Sequence, residues 1–304
     1  MIKWLGITKK EERQMSNPYK TREGGATVTI FVPYDCNNHC PFCINKQEYE
    51  HPEGFSLEKI CESIRTMDGI TPECDFVFTG GEPMANLDSL QIMLDCIPAT
   101  HRIFINTTLP VMRDYTEDEV VAFLNRNKDK LTCINVSRHL YPFVEESNDG
   151  IFDRLEMGSR INCVLFGQHP ADKLLAFVRR FGAHGVPIQF RSDYTKTTPE
   201  NLYDETGDSI LADLRSILTP TILEGCRIRC NYEFADGDHV ISYHKTLPYS
   251  TIVETDEHGV TYDILYDILI KQTGELHSDW TGVPLDVEAY RNVVFEPYDL
   301  HRIF

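Results

Sequence analysis

Ala26-Thr-Val-Thr-Ile-Phe-Val-Pro33 leads through Tyr34 and Asp35 into Cys36-Asn-Asn-His-Cys40-Pro-Phe-Cys43. The first half is rich in β-branched residues and stops at a proline, which predicts a strand. The second half places three cysteines on the loop after that strand, separated by three and then two residues. Working outward, the same alternation of strand and helix repeats. Ser56 reads as an N-cap, followed by Leu57, Ile60, Ile64 and Met67 at helical spacing. Residues 75–79 predict a short buried strand that runs into Gly80-Gly81-Glu82-Pro83, and residues 87–97 a helix. Strands are expected at 102–106, 133–137, 161–166 and 187–191, with helices at 117–127, 151–157, 172–183 and 210–218.

Six strand–helix units in about 190 residues imply an α/β fold with a parallel sheet and right-handed crossovers, open or partly closed into a barrel. In either case function sits at the carboxyl ends of the strands. After about residue 235 the texture changes to alternating segments at 239–245, 250–255 and 260–270. These predict a C-terminal antiparallel β appendage. The expected organisation is an N-terminal extension (1–25), a core (26–220) and a β-rich extension (221–304).

Bulk composition narrows the chemistry. The 304 residues are 41% hydrophobic and 25% charged, as in ordinary globular proteins. No apolar run approaches the ~18 residues that span a bilayer. The apolar stretch at the N-terminus is too short for a signal peptide, so no membrane association and a cytoplasmic location are expected. A net charge of −18 without any basic stripe argues against a long nucleic acid partner. A nucleotide, peptide or other small molecule remains open, because one arginine or lysine in a cleft can hold a single phosphate. Ten cysteines in such a chain, three of them within eight residues, point to a metal or redox site and not to a disulfide framework.

Soft thiolates suit an iron–sulfur cluster, zinc or copper(I). Structural zinc wants four ligands, and no fourth is evident near Cys36, Cys40 and Cys43. Three ligands on a four-iron cluster would leave one iron open. The spacing, with aromatic Phe42 just before the third cysteine, resembles the radical S-adenosylmethionine (SAM) superfamily. Gly80-Gly81-Glu82-Pro83 after the second strand is similar to that family's GGEP motif.

The resemblance covers about residues 26–194 and implies a partial (β/α)6 barrel, a [4Fe–4S] cluster and SAM. It also implies that the open iron chelates the SAM amine and carboxylate. Reductive cleavage then gives a 5′-deoxyadenosyl radical that abstracts hydrogen from substrate. It places Phe42, Gly80, Gly81, Glu82, Pro83, Asn106, Thr107, Ser137, Asn162 and Val164 around SAM, with Glu82 able to accept from the ammonium. Asn135-Val-Ser137 and Arg160-Ile-Asn162 resemble segments of the GTP 3′,8-cyclases of molybdenum-cofactor biosynthesis. Those enzymes, and SPASM or twitch relatives, carry a further cluster. Here only Cys226 and Cys230 follow Cys163, so no auxiliary cluster is expected.

Arg138, His139 and Arg191 follow strand ends and are the substrate-side candidates. Arg191 suits a carboxylate or phosphate, although a structural salt bridge explains it equally well. For His139 the bland hydrogen-bonding role outweighs acid–base work. Cys61, Cys74, Cys96, Cys133 and Cys163 read as small apolar residues within elements. The expected function is a radical SAM enzyme acting on a small molecule such as a nucleotide or nucleoside. An external one-electron donor of the flavodoxin or ferredoxin kind is implied. The alternatives are a peptide or protein maturase, demoted by the short segment before Cys36, and a non-catalytic iron–sulfur or zinc protein.

Overall fold

The strand read first is Thr27–Val32, and five more parallel strands follow it in sequential order across one sheet. The computed structural model describes residues 17–22, 24–34, 36, 38, 40–43, 54–71, 74–109, 114–193, 196–198, 201, 205–221, 231–245, 252–280 and 282–296. Cys226 and Cys230 lie outside the described residues. In chain order the strands are β1 (Tyr19–Thr21), β2 (Thr27–Val32), β3 (Asp75–Gly80), β4 (Arg102–Thr107), β5 (Cys133–Ser137), β6 (Ser159–Leu165) and β7 (Ile188–Ser192). They continue as β8 (Thr219–Pro220), β9 (Asn231–Asp236), β10 (His239–His244), β11 (Ile252–Thr255), β12 (Thr261–Leu265), β13 (Asp267–Ile270) and β14 (Leu276–His277). The helices are α1 (Leu57–Ile70), α2 (Leu87–Asp95), α3 (Glu117–Arg126), α4 (Ala171–Gly182), α5 (Ser209–Ile217) and α6 (Val287–Tyr290).

Local chemistry explains where the helices start. Ser56 caps α1 by accepting from the Lys59 amide, and Ile60, Ile64 and Met67 are buried along one face. Thr116 and Glu119 close a reciprocal capping box on α3. The short helix expected at 151–157 is a 3-10 stretch, Asp149–Arg154. On the outer face of the sheet Val28, Ile30, Phe76, Phe78, Ile105, Ile134, Val136, Ile161, Phe190 and Ile241 are all fully buried or nearly so. The opposite face carries polar residues at alternate positions, as the two-residue period of a strand requires.

The region expected as an antiparallel appendage is divided instead between three places. The main sheet runs β14-β13-β2-β3-β4-β5-β6-β7-β10-β9-β8. Strand β13 joins parallel to β2, and β10 parallel to β7, each bringing an antiparallel neighbour. The segment read as one strand over 260–270 breaks at Tyr266. Its first half, β12, pairs with β1 and β11 in a separate three-stranded sheet. Its second half, Asp267-Ile-Leu-Ile270, is nearly all apolar and enters the main sheet, where strands are covered on both faces. Among the described residues no helix is long and apolar enough to cross a membrane.

Candidate active site

The carboxyl ends of β2 to β7 surround a cavity of about 230 Å³. Cys36, Cys40 and Cys43 line it together with Phe42, Gly80, Gly81, Glu82, Asn106, Thr107, Ser137, Asn162, Val164, His139 and Arg191. Residues assigned from six separate strand ends therefore meet in one space.

The cysteine loop begins where β2 ends. The Cys43 amide bonds back to the Cys40 carbonyl at 3.1 Å, which turns the loop tightly. Burial pushes the Cys40 thiol up to about 12, and the neighbouring Cys43 and Cys36 add to the shift. Burial raises Cys36 as well, opposed by hydrogen bonds from Asn38. Thiols held protonated this way must release protons to bind a metal, so loading is coupled to pH. The buried Asn38 side chain donates from Nδ2 to Cys36 Sγ at 3.4 Å and accepts the Glu145 amide at 2.8 Å. Phe42 is buried among His139, Phe143 and Phe166, with ring centroids 4.9, 5.6 and 5.5 Å away. Among the described residues no three His, Cys, Asp or Glu side chains form a group suited to one metal ion.

Gly80 has φ +123°, and a Cβ there would lie 2.1 Å from the Val32 carbonyl oxygen. This glycine is demanded by the close approach of β3 to β2, ahead of any ligand. The Gly81 amide bonds the same carbonyl at 2.9 Å, and the Glu82 amide bonds Tyr34 at 3.3 Å. The Gly-Gly-Glu turn is thus clipped to the strand that carries the cysteines.

Glu82 is buried, and its carboxylate accepts four hydrogen bonds. Oε1 receives the Met84 amide at 3.0 Å and the Thr107 hydroxyl at 2.6 Å. Oε2 receives the Thr108 amide and hydroxyl, both at 2.8 Å. Burial raises its pKa against the pull of these donors. Two oxygens offer about four acceptor positions, and all are used. In this structure Glu82 therefore ties the end of β3 to the end of β4 while lining the cavity. Pro83 opens the 3-10 turn Pro83–Ala85 and is buried outside the cavity lining.

Across β4, β5 and β6 a polar ladder crosses the inner face. Asn135 Nδ2 donates to Asn106 Oδ1 at 2.8 Å, and Arg160 Nε and Nη2 donate to Asn135 Oδ1 at 3.1 and 2.7 Å. Asn162 lines the cavity, and its buried Oδ1 has no hydrogen-bond partner. An orphaned acceptor at that position suits a ligand N–H or O–H. His139 Nδ1 accepts the Val164 amide at 3.3 Å. Burial, followed by the charge of Arg138, pulls this imidazole down to about 4, so it is neutral with its proton on Nε2.

Arg138 sits outside the cavity lining and is completely buried. Its guanidinium donates to the Thr108 and Ser137 carbonyls at 2.5 and 2.9 Å and to Ser147 Oγ at 2.9 Å. It braces the loops after β4 and β5. Arg191 does reach the cavity, and its Nε donates to Gln189 Oε1 at 3.0 Å. Sequence reasoning did not single out Asn38; it grouped Thr108 with Asn106 and Thr107 at the strand end near SAM, without foreseeing its bonds to Glu82. Thr108 follows Asn106-Thr107 directly, whereas nothing in its residue type marks Asn38 as the cysteine's partner.

Residues 23–138 match the family model described as a 4Fe-4S single cluster domain. No curated protein matches the chain. Among solved structures, the fold is similar to the crystal structure of Streptococcus suis SuiB bound to S-adenosylmethionine, with a TM-score of 0.50 and 12% identity. That match covers 86% of this chain and 58% of the other, so the chain spans less than two thirds of the structure it resembles. The expected α/β fold with a large parallel sheet is borne out, and the matched family segment contains Cys36, Cys40 and Cys43.

Proposed function

We propose that this chain is a radical SAM enzyme that holds a [4Fe–4S] cluster on Cys36, Cys40 and Cys43 and acts on a small molecule, a reading supported by its motifs, by the family match over residues 23–138 and by the similarity of its fold to a SAM-bound structure. One observation carries the reading: the three thiols and the Gly80-Gly81-Glu82 turn line the same cavity at the strand ends. The residues fit the group on two counts. The donor set is soft and three-fold, which leaves a four-iron cluster one open iron. The orphaned Asn162 oxygen awaits a donor on the far wall. When bound, the cluster and SAM supply reductive cleavage to a 5′-deoxyadenosyl radical, which takes hydrogen from substrate.

The chain's own residues bind, orient and exclude water. Gly81, Asn106, Thr107, Ser137, Asn162 and Val164 form the SAM-facing wall, and Glu82 fixes the turn from which that wall is built. Phe42 and its aromatic neighbours shield the cysteine loop. His139, neutral and bonded to the Val164 amide, offers Nε2–H as a fixed donor. The sequential parallel run β2 to β7 is the arrangement that a partial (β/α)6 barrel requires, and residues 26–220 are read as its core. A small flavodoxin- or ferredoxin-like donor in the cytoplasm would supply the electron.

The test is spectroscopic. Anaerobically reconstituted protein should bind about four irons per chain, and its reduced cluster signal should shift when SAM is added. Alanine at any one of the three cysteines should abolish the cluster. A cluster signal indifferent to SAM would reject the reading.

A further inference from the structure

The inner sheet face below the cavity carries an unusual concentration of positive charge for so acidic a chain. Arg191 on β7 reaches the cavity, and Arg160 lies one strand away on β6. Register sets Asn162 beside Gln189 and Val164 beside Arg191. Because side chains alternate along a strand, Arg160, Asn162, Gln189 and Arg191 share one face. Arg22 is a third guanidinium within electrostatic reach; it donates to the Thr27 hydroxyl at 2.6 Å and the Gly25 carbonyl at 3.1 Å. Among the described residues Asp267 is the acidic group that opposes them at Arg191, and burial together with Arg160 pulls the Arg191 pKa down to about 10.

What the two inner arginines bind is informative. Arg191 holds the Gln189 amide oxygen through Nε alone, and Arg160 holds the Asn135 amide oxygen. Both partners are neutral, and among the described residues neither guanidinium forms an ion pair with a carboxylate. Elsewhere the protein pairs its arginines readily: Arg154 with Glu117 and Asp118, Arg180 with Glu146 and Asp149, Arg215 with Glu205. A cation held in a cleft without a counter-charge is costly, and the free edge of a guanidinium fits a carboxylate or phosphate bidentately.

We propose that Arg191, backed by Arg160, binds an anionic group of the substrate, a carboxylate or a phosphate, on the β6–β7 side of the cavity. The assignment rests on the cavity being the substrate site proposed above and narrows that substrate to an anion. Gln189 fixes the plane of the Arg191 guanidinium through Nε, leaving both Nη groups for the ligand. Arg160 contributes charge from below, already oriented by Asn135.

The test uses reconstituted holoprotein and two probes, inorganic phosphate and succinate, titrated calorimetrically with and without SAM. At least one probe should bind at one site per chain. Arg191→Gln should weaken it by about tenfold or more, and Arg160→Gln by less. The SAM dissociation constant should stay essentially unchanged in both. The probe should raise the melting temperature of the wild type and leave that of Arg191→Gln where it is. Arg191→Lys keeps the charge and loses the fork, so it should fold and bind with intermediate affinity.

The proposal is overturned if neither probe distinguishes wild type from Arg191→Gln and Arg191→Lys. It is equally overturned if Arg191→Gln weakens SAM by the same factor, which would assign the guanidinium to the cofactor. Anion binding through Arg191 in a protein whose cluster ignores SAM would keep this proposal and reject the functional one; a SAM-responsive cluster without anion binding would do the reverse.

Discussion

Replacing Glu82 by glutamine preserves the shape of the side chain and alters only what its two terminal atoms can accept. Each carboxylate oxygen of Glu82 receives one backbone amide and one threonine hydroxyl: Met84 and Thr107 on Oε1, Thr108 twice on Oε2. A glutamine must aim its NH2 at one of these pairs. The hydroxyl of that pair can rotate to accept, but the backbone N–H cannot, and it is left buried without a partner. An orphaned amide of that kind costs about 1–3 kcal/mol, partly offset by no longer burying a charge. Glu82→Ala orphans both amides and opens a cavity, so its loss should be about 3–6 kcal/mol. Urea unfolding of the metal-free protein measures both, with an unchanged m-value showing that the two-state comparison holds. If Glu82→Gln unfolds within about 0.5 kcal/mol of wild type, the reasoning that this carboxylate staples β3 to β4 is wrong.

Further outcomes follow from the same geometry. Gly80→Ala drives a Cβ into the Val32 backbone at φ +123° and should cost about 3 kcal/mol or more, read as lost soluble yield or a lowered unfolding midpoint. Gly69→Ala, in α1 with nothing within 4 Å of the added carbon, should instead stabilise by about 0.5–1 kcal/mol in the same assay. His139 has a folded pKa near 4, below the ordinary 6.5, so its contribution to stability is present above pH 6.5 and is lost as pH falls toward 4. Imidazole NMR should show it neutral at pH 5.5, and a titration midpoint near 6.5 would contradict the burial argument. Asn38→Ala removes the N–H donor to Cys36 Sγ and should lower the cluster reduction potential by an amount on the order of tens of millivolts in a potentiometric EPR titration.

Much of the parallel core was legible because its signals are local. β-branched runs, the Ser56 cap and helical spacing each act within a few residues, and all six expected strands fall in β2 to β7. The cavity was legible because strand ends converge by topology, so that motifs far apart in sequence reach one space. Long-range pairing was not legible. Nothing local tells Asp267–Ile270 to leave the path of β12 and join β2, or His239–His244 to run parallel to β7. Arg138 looked like a cavity residue because it follows a strand end; the odd–even alternation at Ser137 turned it away, into the backbone carbonyls behind. The neutral partners of Arg160 and Arg191 are cross-strand or same-strand amides, and their significance emerges only once the register is known.

Incubating the dithionite-reduced, cluster-loaded protein with SAM under anaerobic conditions and quantifying 5′-deoxyadenosine decides whether this chain cleaves SAM. The wild type should yield 5′-deoxyadenosine together with methionine, and the Cys36→Ala, Cys40→Ala and Cys43→Ala proteins none. A fully loaded, reduced wild type that binds SAM and yields no 5′-deoxyadenosine would contradict the proposed function.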